Sequence, residues 1–524
     1  MEHLFLFSPM IALVATMLAI VSVPMIAGRG ARTIGGIGAI GIVVTFVLAL
    51  RVAKAVADGG VSGLSTQAAW GMLIADNLSA CYQIVLIVFL AAVTYLWWIG
   101  SVETEENAPE FFILLLGSAL GMALMASTAH VLMIVVAIEA ASLPSYAIVG
   151  FDKRDRKGAE ASLKYMVFGA VSAAIMLYGA SILYGLVGSL SLPDIARYTV
   201  DHMTVGSDRL LLGLGLFCLL GGIAFKISAV PFHFWCPDAF EGAKIEVTTW
   251  LSVASKAAGL VLLTRVVLIF CAAVDVPQAM PLISGLAWTV GLMAAVTCTV
   301  GNFSAYWQTS VKRLLAYSSI AHAGYMMMAA AVFMHPEVEG AREGLAALLI
   351  YIIIYLFMNL GAFGVVALVV WETGSDHIDS FTGLVRRAPW LAVPMVICLM
   401  SLVGLPPLAG FLGKWWILVA LGRTGTTLGW VLVIVAVVNT LISLYYYLRL
   451  VVQMALRDND RPALASPVGG VALVNVCGLA LLALFLFAAP LKSGAEHFSQ
   501  KLYPESARSQ ASVSASDSAS VEAR

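Results

Sequence analysis

Five titratable side chains stand inside long apolar runs. Glu139 lies in Val-Val-Ala-Ile-Glu-Ala-Ala-Ser, Lys226 in Ile-Ala-Phe-Lys-Ile-Ser and Lys256 in Val-Ala-Ser-Lys-Ala-Ala-Gly, while His322 and Lys414 have similar surroundings. Charges in such segments are costly and usually mark an ion path. The chemistry they suit is proton transfer. Desolvation weakens a lysine's hold on its proton and a neighbouring carboxylate restores it. Bringing opposite charges to about 4 Å at an effective dielectric near 20 is worth roughly 4 kcal/mol, which is about three pKa units. Glu139 and Lys226 therefore read as a loading switch, Lys256 as a relay, Lys414 as the exit-side group and His322 as a further carrier. The competing reading, open for each residue, is a structural ion pair or hydrogen bond between helices. His233, Asp238 and Glu241 follow Lys226 closely and read as residues that orient the local backbone.

The rest of the chain states what must hold these groups. Of 524 residues 61% are apolar and 11% charged, against about a quarter charged in soluble domains, and the mean hydropathy is +0.95. Twenty-nine basic and 30 acidic residues cannot cover the surface of a soluble protein this long. A net charge of −1 argues against a nucleic-acid partner. Seven cysteines without a C-x-x-C pair suggest neither a disulfide framework nor a zinc or iron–sulfur site. The expectation is an all-α polytopic membrane protein in contact with lipid.

With about 20 apolar residues needed per crossing, roughly fourteen spans are expected. They lie near 4–27, 32–55, 77–100, 109–128, 130–151, 161–188, 209–242, 246–272, 280–303, 312–334, 343–371, 388–421, 427–455 and 465–490. The first has no basic leader and no cleavage site, so it reads as a retained span. Odd-numbered connections hold Arg29, Arg32, Lys153, Arg154, Arg156, Lys157, Lys244, Lys312, Arg313, Arg386, Arg387, Arg457 and Arg461; even-numbered ones hold Arg51, Lys54, Arg197, Arg209, Arg342 and Arg423. The basic excess puts odd connections in the cytoplasm and both termini outside it. The Ser/Ala-rich stretch 493–524 reads as a disordered tail.

Two spans are too long and carry breakers, at Ser228-Ala-Val-Pro231 and at Gly404-Leu-Pro-Pro407, about 175 residues apart. Each reads as a discontinuous helix. Residues 109–272 and 280–456 then look like two five-helix repeats, inverted because five is odd, between an N-terminal three-helix segment (1–108) and a C-terminal helix (465–490). Paired broken helices in inverted repeats are a signature of ion-transporting folds. Gly36-Ile-Gly-Ala-Ile-Gly41 matches a dinucleotide fingerprint only in letters, since no strand precedes it. Gly117-Ser-Ala-Leu-Gly121 reads as close helix packing.

Three blocks carry a family resemblance. They are Glu139-Ala-Ala-Ser-Leu-Pro-Ser-Tyr-Ala-Ile-Val-Gly-Phe-Asp-Lys-Arg with the following Glu160-Ala-Ser-Leu-Lys-Tyr; Phe225-Lys-Ile-Ser-Ala-Val-Pro-Phe-His-Phe-Trp-Cys-Pro-Asp-Ala-Phe-Glu-Gly-Ala with Leu251-Ser-Val-Ala-Ser-Lys-Ala-Ala; and Gly404-Leu-Pro-Pro-Leu-Ala-Gly-Phe-Leu-Gly-Lys414. From about residue 75 to 455 the chain resembles the N-type antiporter-like subunits of bacterial respiratory complex I, the proton-pumping NADH:quinone oxidoreductase. Lys414, where the M-type sister has a glutamate, points to the N-type. Lys244 and Glu246 depart from the family's prolines. The resemblance implies a respiratory-chain translocase subunit in the bacterial inner membrane, with periplasmic termini and M-type and K-type neighbours. It also implies that NADH, FMN, iron–sulfur clusters and quinone (ubiquinone or another) bind in other subunits, none in this chain. It assigns the proton path to Glu139, Lys226, Lys256 and Lys414. Competing functions are a subunit of a multi-component sodium/proton antiporter or of a membrane-bound hydrogenase, or a scaffold whose charges only join helices.

Overall fold

Inside hydrocarbon a helix is the one open segment that satisfies its own backbone polar groups, and the apolar runs all adopt it. The computed structural model describes residues 2–27, 30–58, 67–68, 71–100, 107–202, 206–271, 280–333, 338–457 and 462–502. The chain begins with α1 (Glu2–Leu6), α2 (Ser8–Ala27) and α3 (Ala31–Ala57), then a small antiparallel hairpin of β1 (Gln67–Ala68) and β2 (Leu73–Ile74), then α4 (Asn77–Gly100). Next come α5 (Ala108–Ser127), α6 (Val131–Val149), α7 (Arg156–Val187), the short α8 (Leu192–His202), α9 (Gly206–Ile227), α10 (Trp235–Gly242), α11 (Ile245–Trp250) and, after one π-helical turn, α12 (Lys256–Cys271). The remainder comprises α13 (Met280–Ala305), α14 (Val311–Phe333), α15 (Val338–Thr373), α16 (Leu384–Arg387), α17 (Pro389–Val403), α18 (Ala409–Arg423), α19 (Thr427–Ala455), α20 (Val468–Leu486) and α21 (Ala488–Leu502).

Among the described residues twelve helices are long and apolar enough to cross a membrane. The α11–α12 segment and α15 lie almost wholly inside the bundle, while α2, α19 and α20 form part of its outer wall. Both long spans expected to be discontinuous are so: α9 stops at Ile227 before α10, and α17 stops at Val403 before α18. The Gly36–Gly41 run lies within α3. At Gly121 α5 meets α6 closely, because a Cβ there would stand 2.2 Å from the Ala141 backbone nitrogen.

The connections sort onto two faces. On one, Leu73 bridges Thr128 and His130 bridges Ser191, so connections two, four and six meet. Asp76 belongs to this face. Its carboxylate accepts from the Ser79 amide at 2.9 Å while the Ser79 hydroxyl accepts from the Asp76 amide at 3.0 Å, a reciprocal start for α4. It also receives both terminal nitrogens of Arg265 on α12, at 3.0 and 2.8 Å. On the other face Ser310 bridges His377, the Gly383 amide donates to Gln453 O at 3.2 Å, and the Leu464 amide donates to Arg387 O at 3.3 Å. Among the described residues, connections nine, eleven and thirteen thus share a face.

The polar stretch from residue 493 does not begin as a disordered tail. It starts inside α21, whose Leu491, Ala495 and Phe498 pack against the core. That i, i+4, i+7 spacing gives one apolar stripe, diluted in the sequence by the surrounding Ser, Ala and Lys. Residues 503–524 lie outside the described residues.

Gly121→Val forces α5 and α6 apart and should destabilise the subunit by about 1–3 kcal/mol, seen as a lower thermal midpoint. Gly36→Ala, with nothing within 4 Å of the new Cβ, should not lower that midpoint, since alanine is the better helix former. Burial raises the Asp76 carboxyl, but the Arg265 charge and the Ser79 hydrogen bonds outweigh it and hold the group below the usual carboxylate range. Its contribution is then present above the unfolded value near about 3.9 and lost as pH falls through the lower folded value. Asp76→Asn should therefore melt below the wild type at pH 7, with the gap closing only at pH beneath about 3.9.

Candidate functional site

The two helix breaks organise the site. At the first, Ser228 takes a left-handed conformation (φ 67°) and the Ala229 amide reaches back to Ala224 O at 2.8 Å. At the second, Gly404 (φ 89°) does the same and the Leu405 amide reaches Met400 O at 3.1 Å. Both are helix C-terminal caps with a six-to-one bond around a left-handed residue. Each break also leaves terminal carbonyls that hydrocarbon cannot satisfy. At the first, the Trp235 indole donates to Phe225 O at 3.0 Å and the Ser255 hydroxyl to Lys226 O at 3.2 Å. At the second, the Lys414 ammonium donates to Leu402 O at 3.0 Å and Val403 O at 2.9 Å. A cation there also meets the negative end of the α17 dipole.

Lys226 is fully buried in the last turn of α9. Its ammonium donates to the Ser142 hydroxyl at 3.2 Å. Among the described residues no carboxylate lies within 4.0 Å of it. Ser142 stands one turn beyond Glu139 on α6, so the serine separates the two charged groups instead of the two forming a contact pair. Glu139 itself is half-buried, on a stripe of α6 that includes the exposed Leu132, Val136 and Leu143.

Lys256 follows the π turn Leu251–Ser255, a widened turn of the kind often found at functional sites. It is fully buried, donates to Cys236 Sγ at 3.5 Å and sits 4.7 Å over the Phe240 ring. From the same π turn the path of polar groups continues through tyrosines. Tyr355 donates to Ser252 O at 3.4 Å and its ring lies 5.4 Å from that of His322. His322 Nδ1 meets the Tyr351 hydroxyl at 2.7 Å and Nε2 the Tyr447 hydroxyl at 3.3 Å; Tyr447 in turn bonds Ser318. Tyr325 lies beside His322 and carries the Lys414 ammonium 4.4 Å above its ring. The five groups singled out in the sequence thus lie along one polar succession: Glu139, Ser142, Lys226, Ser255, Lys256, the π turn, Tyr355, His322, Tyr325, Lys414. Lys226–Ser142 and Tyr355–Ser252 O are hydrogen bonds, whereas Glu139 joins by its place one turn from Ser142, Lys256 by following Ser255 in the chain, and Tyr355, His322 and Tyr325 by ring proximity.

His233, Asp238 and Glu241 occupy a different place, at the face of the odd-numbered connections. Asp238 pairs with Lys164 at 3.0 Å and Arg313 at 2.6 Å, and Glu241 with Arg313 at 2.8 Å and Lys157 at 3.8 Å. These contacts tie α10 to α7 and α14. Lys312, read from sequence only as a topology signal, is buried and donates to Glu241 O and Ala243 O, both at 2.7 Å. His233 is buried with Nδ1 unpartnered and borders a groove of about 520 Å³ with Lys164, Asp238 and Arg313.

Sequence reading passed over Ser142, Cys236 and the tyrosines. The available signal was Tyr351 and Tyr355, one turn apart in an apolar run, because a buried phenol hydroxyl needs a partner. Among the described residues no cluster of His, Cys, Asp and Glu suited to a metal occurs.

A multi-pass bundle with two interrupted helices and buried lysines at the interruptions defines an ion-translocating class of membrane protein. Residues 128–443 match the family model described as NADH:quinone oxidoreductase/Mrp antiporter, TM, and the chain belongs to that family. It is 41% identical over 459 residues to NADH-quinone oxidoreductase subunit N 2 of Sorangium cellulosum, covering 83% of this chain and 87% of that one. It is 40% identical over 416 residues to subunit N of Anaeromyxobacter sp., covering 76% and 78%. A chain of respiratory complex I from Thermus thermophilus superposes with a TM-score of 0.73 at 30% identity, over 93% of this chain and 98% of that one. A chain of the Mrp complex from Dietzia sp. shares the fold, with a TM-score of 0.79 at 18% identity over 96% and 98%.

Lys312→Met should leave two carbonyls of the α10 end without their donor and cost about 1–3 kcal/mol, read as a lower thermal midpoint. Lys312→Arg, which can still donate, should recover most of it.

Proposed function

We propose that this chain is the N-type proton-translocating membrane subunit of an NADH:quinone oxidoreductase. The observation that carries the proposal is the buried succession from Glu139 to Lys414, threaded through both helix breaks. The subunit holds no redox centre in this reading. NADH, FMN, iron–sulfur clusters and quinone belong to other subunits, and quinone reduction there drives proton movement here.

The finer points have separate supports. To the twelve long apolar helices, α14 and the α17–α18 pair add two more crossings, giving fourteen in which residues 109–272 and 280–456 are inverted repeats flanked by 1–108 and 465–490. Similar left-handed caps at Ser228 and Gly404 favour that repeat. With the basic connections in the cytoplasm of a bacterium, both termini lie on the periplasmic side of the inner membrane. A half-exposed carboxylate facing lipid is costly, so Glu139 and the apolar stripe around it face a neighbouring membrane subunit of the M or K type.

In operation Glu139 and Lys226 set each other's charge at long range, and Ser142 gives the lysine a resting acceptor. Movement of either helix to bring carboxylate and ammonium together favours loading; separation favours release toward Lys256. His322, with one ring nitrogen bonded to Tyr351 and the other facing Tyr447, can pass a proton by exchanging tautomers. Lys414 receives it at the second break. His233, Asp238 and Glu241 position α10 beneath the first break.

The test is NADH-driven acidification of inverted membrane vesicles at matched complex content. Lys226→Ala should lower the rate by about tenfold or more, and Ser142→Ala by less, given the weight of a positioned acid or base. Unchanged pumping per complex in Lys226→Ala would return the lysine to a structural role. Sodium–proton exchange in the absence of NADH would favour the antiporter reading instead.

A further inference from the structure

A second opening lies on the face of the even-numbered connections, opposite the His233 groove. Glu343 near the start of α15 and Arg423 at the end of α18 form an ion pair there, the glutamate side chain 21% exposed and the arginine 59%. The other carboxylate oxygen, Glu343 Oε2, is buried and has no hydrogen-bond partner. Beside the pair is a narrow crevice of about 20 Å³, room for about one water, lined by Ala346, Ala347, Ile350 and Trp416. Its rim carries the Lys492–Glu496 pair of α21, at 3.4 Å.

The crevice lies close to the end of the polar succession. Residues 343, 347 and 351 recur every four along α15 and share one face, so Tyr351, the partner of His322, lies one turn beyond Ala347 of the crevice wall. Eight residues of helix rise about 12 Å. Along α18, Arg423 follows Lys414 by nine residues, about 13.5 Å. The interval is apolar and narrow, a span that a short file of water could bridge when the crevice opens and that blocks protons when it is shut.

We infer that this crevice is the release mouth of the path and that the Glu343 carboxylate is the last protein group to carry the proton, gated by its ion pair with Arg423. The inference rests on the proposed translocation. An N–H bond of the Lys414 ammonium breaks, and its proton passes through bridging water to form an O–H bond on Glu343. The neutral acid no longer holds Arg423, and the mouth opens. The acid then gives its proton to solvent water, becomes a carboxylate again and re-pairs with Arg423, which closes the mouth against return. The unpartnered Oε2 supplies the free lone pair that the incoming proton needs.

The assay is acidification per NADH oxidised by the intact complex in vesicles, at matched content. Glu343→Gln should lower the acidification rate by about tenfold or more, and Glu343→Asp should recover most of it. Wild-type pumping in Glu343→Gln overturns the mouth. If Lys226→Ala is inactive while Glu343→Gln pumps normally, the path stands and the mouth is wrong; if both pump normally, the path itself fails. Should Glu343→Gln not assemble, Val419→Cys on the crevice wall decides. A membrane-impermeant maleimide applied from the periplasmic side of spheroplasts, before inverted vesicles are prepared from them, should label it and stop acidification. Either an unlabelled cysteine or a labelled complex that still pumps overturns the inference.

Discussion

A helix interrupted inside a membrane exposes carbonyls that have neither a helical partner nor water. Everything else in this subunit follows from how those carbonyls are satisfied. At Val403 the answer is a lysine, Lys414, which must be buried to reach them. At Ile227 it is Trp235 and Ser255, which leave Lys226 in the same turn free to turn its ammonium toward α6. At the end of α10 it is Lys312. The breaks therefore require donors at depth, and donors that are also acids become available for proton exchange.

The two halves use this constraint differently. In the first, Lys226 and Lys256 are enclosed by one hydroxyl, one thiol and aromatic faces, groups that solvate an ammonium weakly. In the second, His322 stands among tyrosine hydroxyls and Lys414 rests on a helix end and the Tyr325 ring. The π turn before Lys256 joins them, because Tyr355 of α15 bonds its backbone from one side while Lys256 emerges from the other.

Much of this was legible in the residues. Lysine, glutamate and proline in apolar runs are rare enough to stand out singly, so the spans, both breaks and the five buried groups could be named by type alone. Partners could not. Ser142 and Lys226 are 84 residues apart, Tyr351 and His322 29, and Asp76 and Arg265 189. Hydroxyls are also common in membrane helices, so Ser142 and Tyr355 carry no signal until packing places them beside a charge. Lys312 looked like one of many topology-setting cations, since its role depends on where α10 ends. The α21 stripe was obscured by its Ser/Ala-rich setting.

The most direct test of the central claim is the number of protons moved per NADH oxidised after Lys256→Gln, the substitution at the junction of the two halves. A continuous path through this subunit predicts a clear fall in that ratio, or arrest of electron transfer together with it, in fully assembled complex. A ratio and a turnover rate both equal to wild type would contradict the account, because the succession would then be cut at its centre with no effect on the protons it is held to carry.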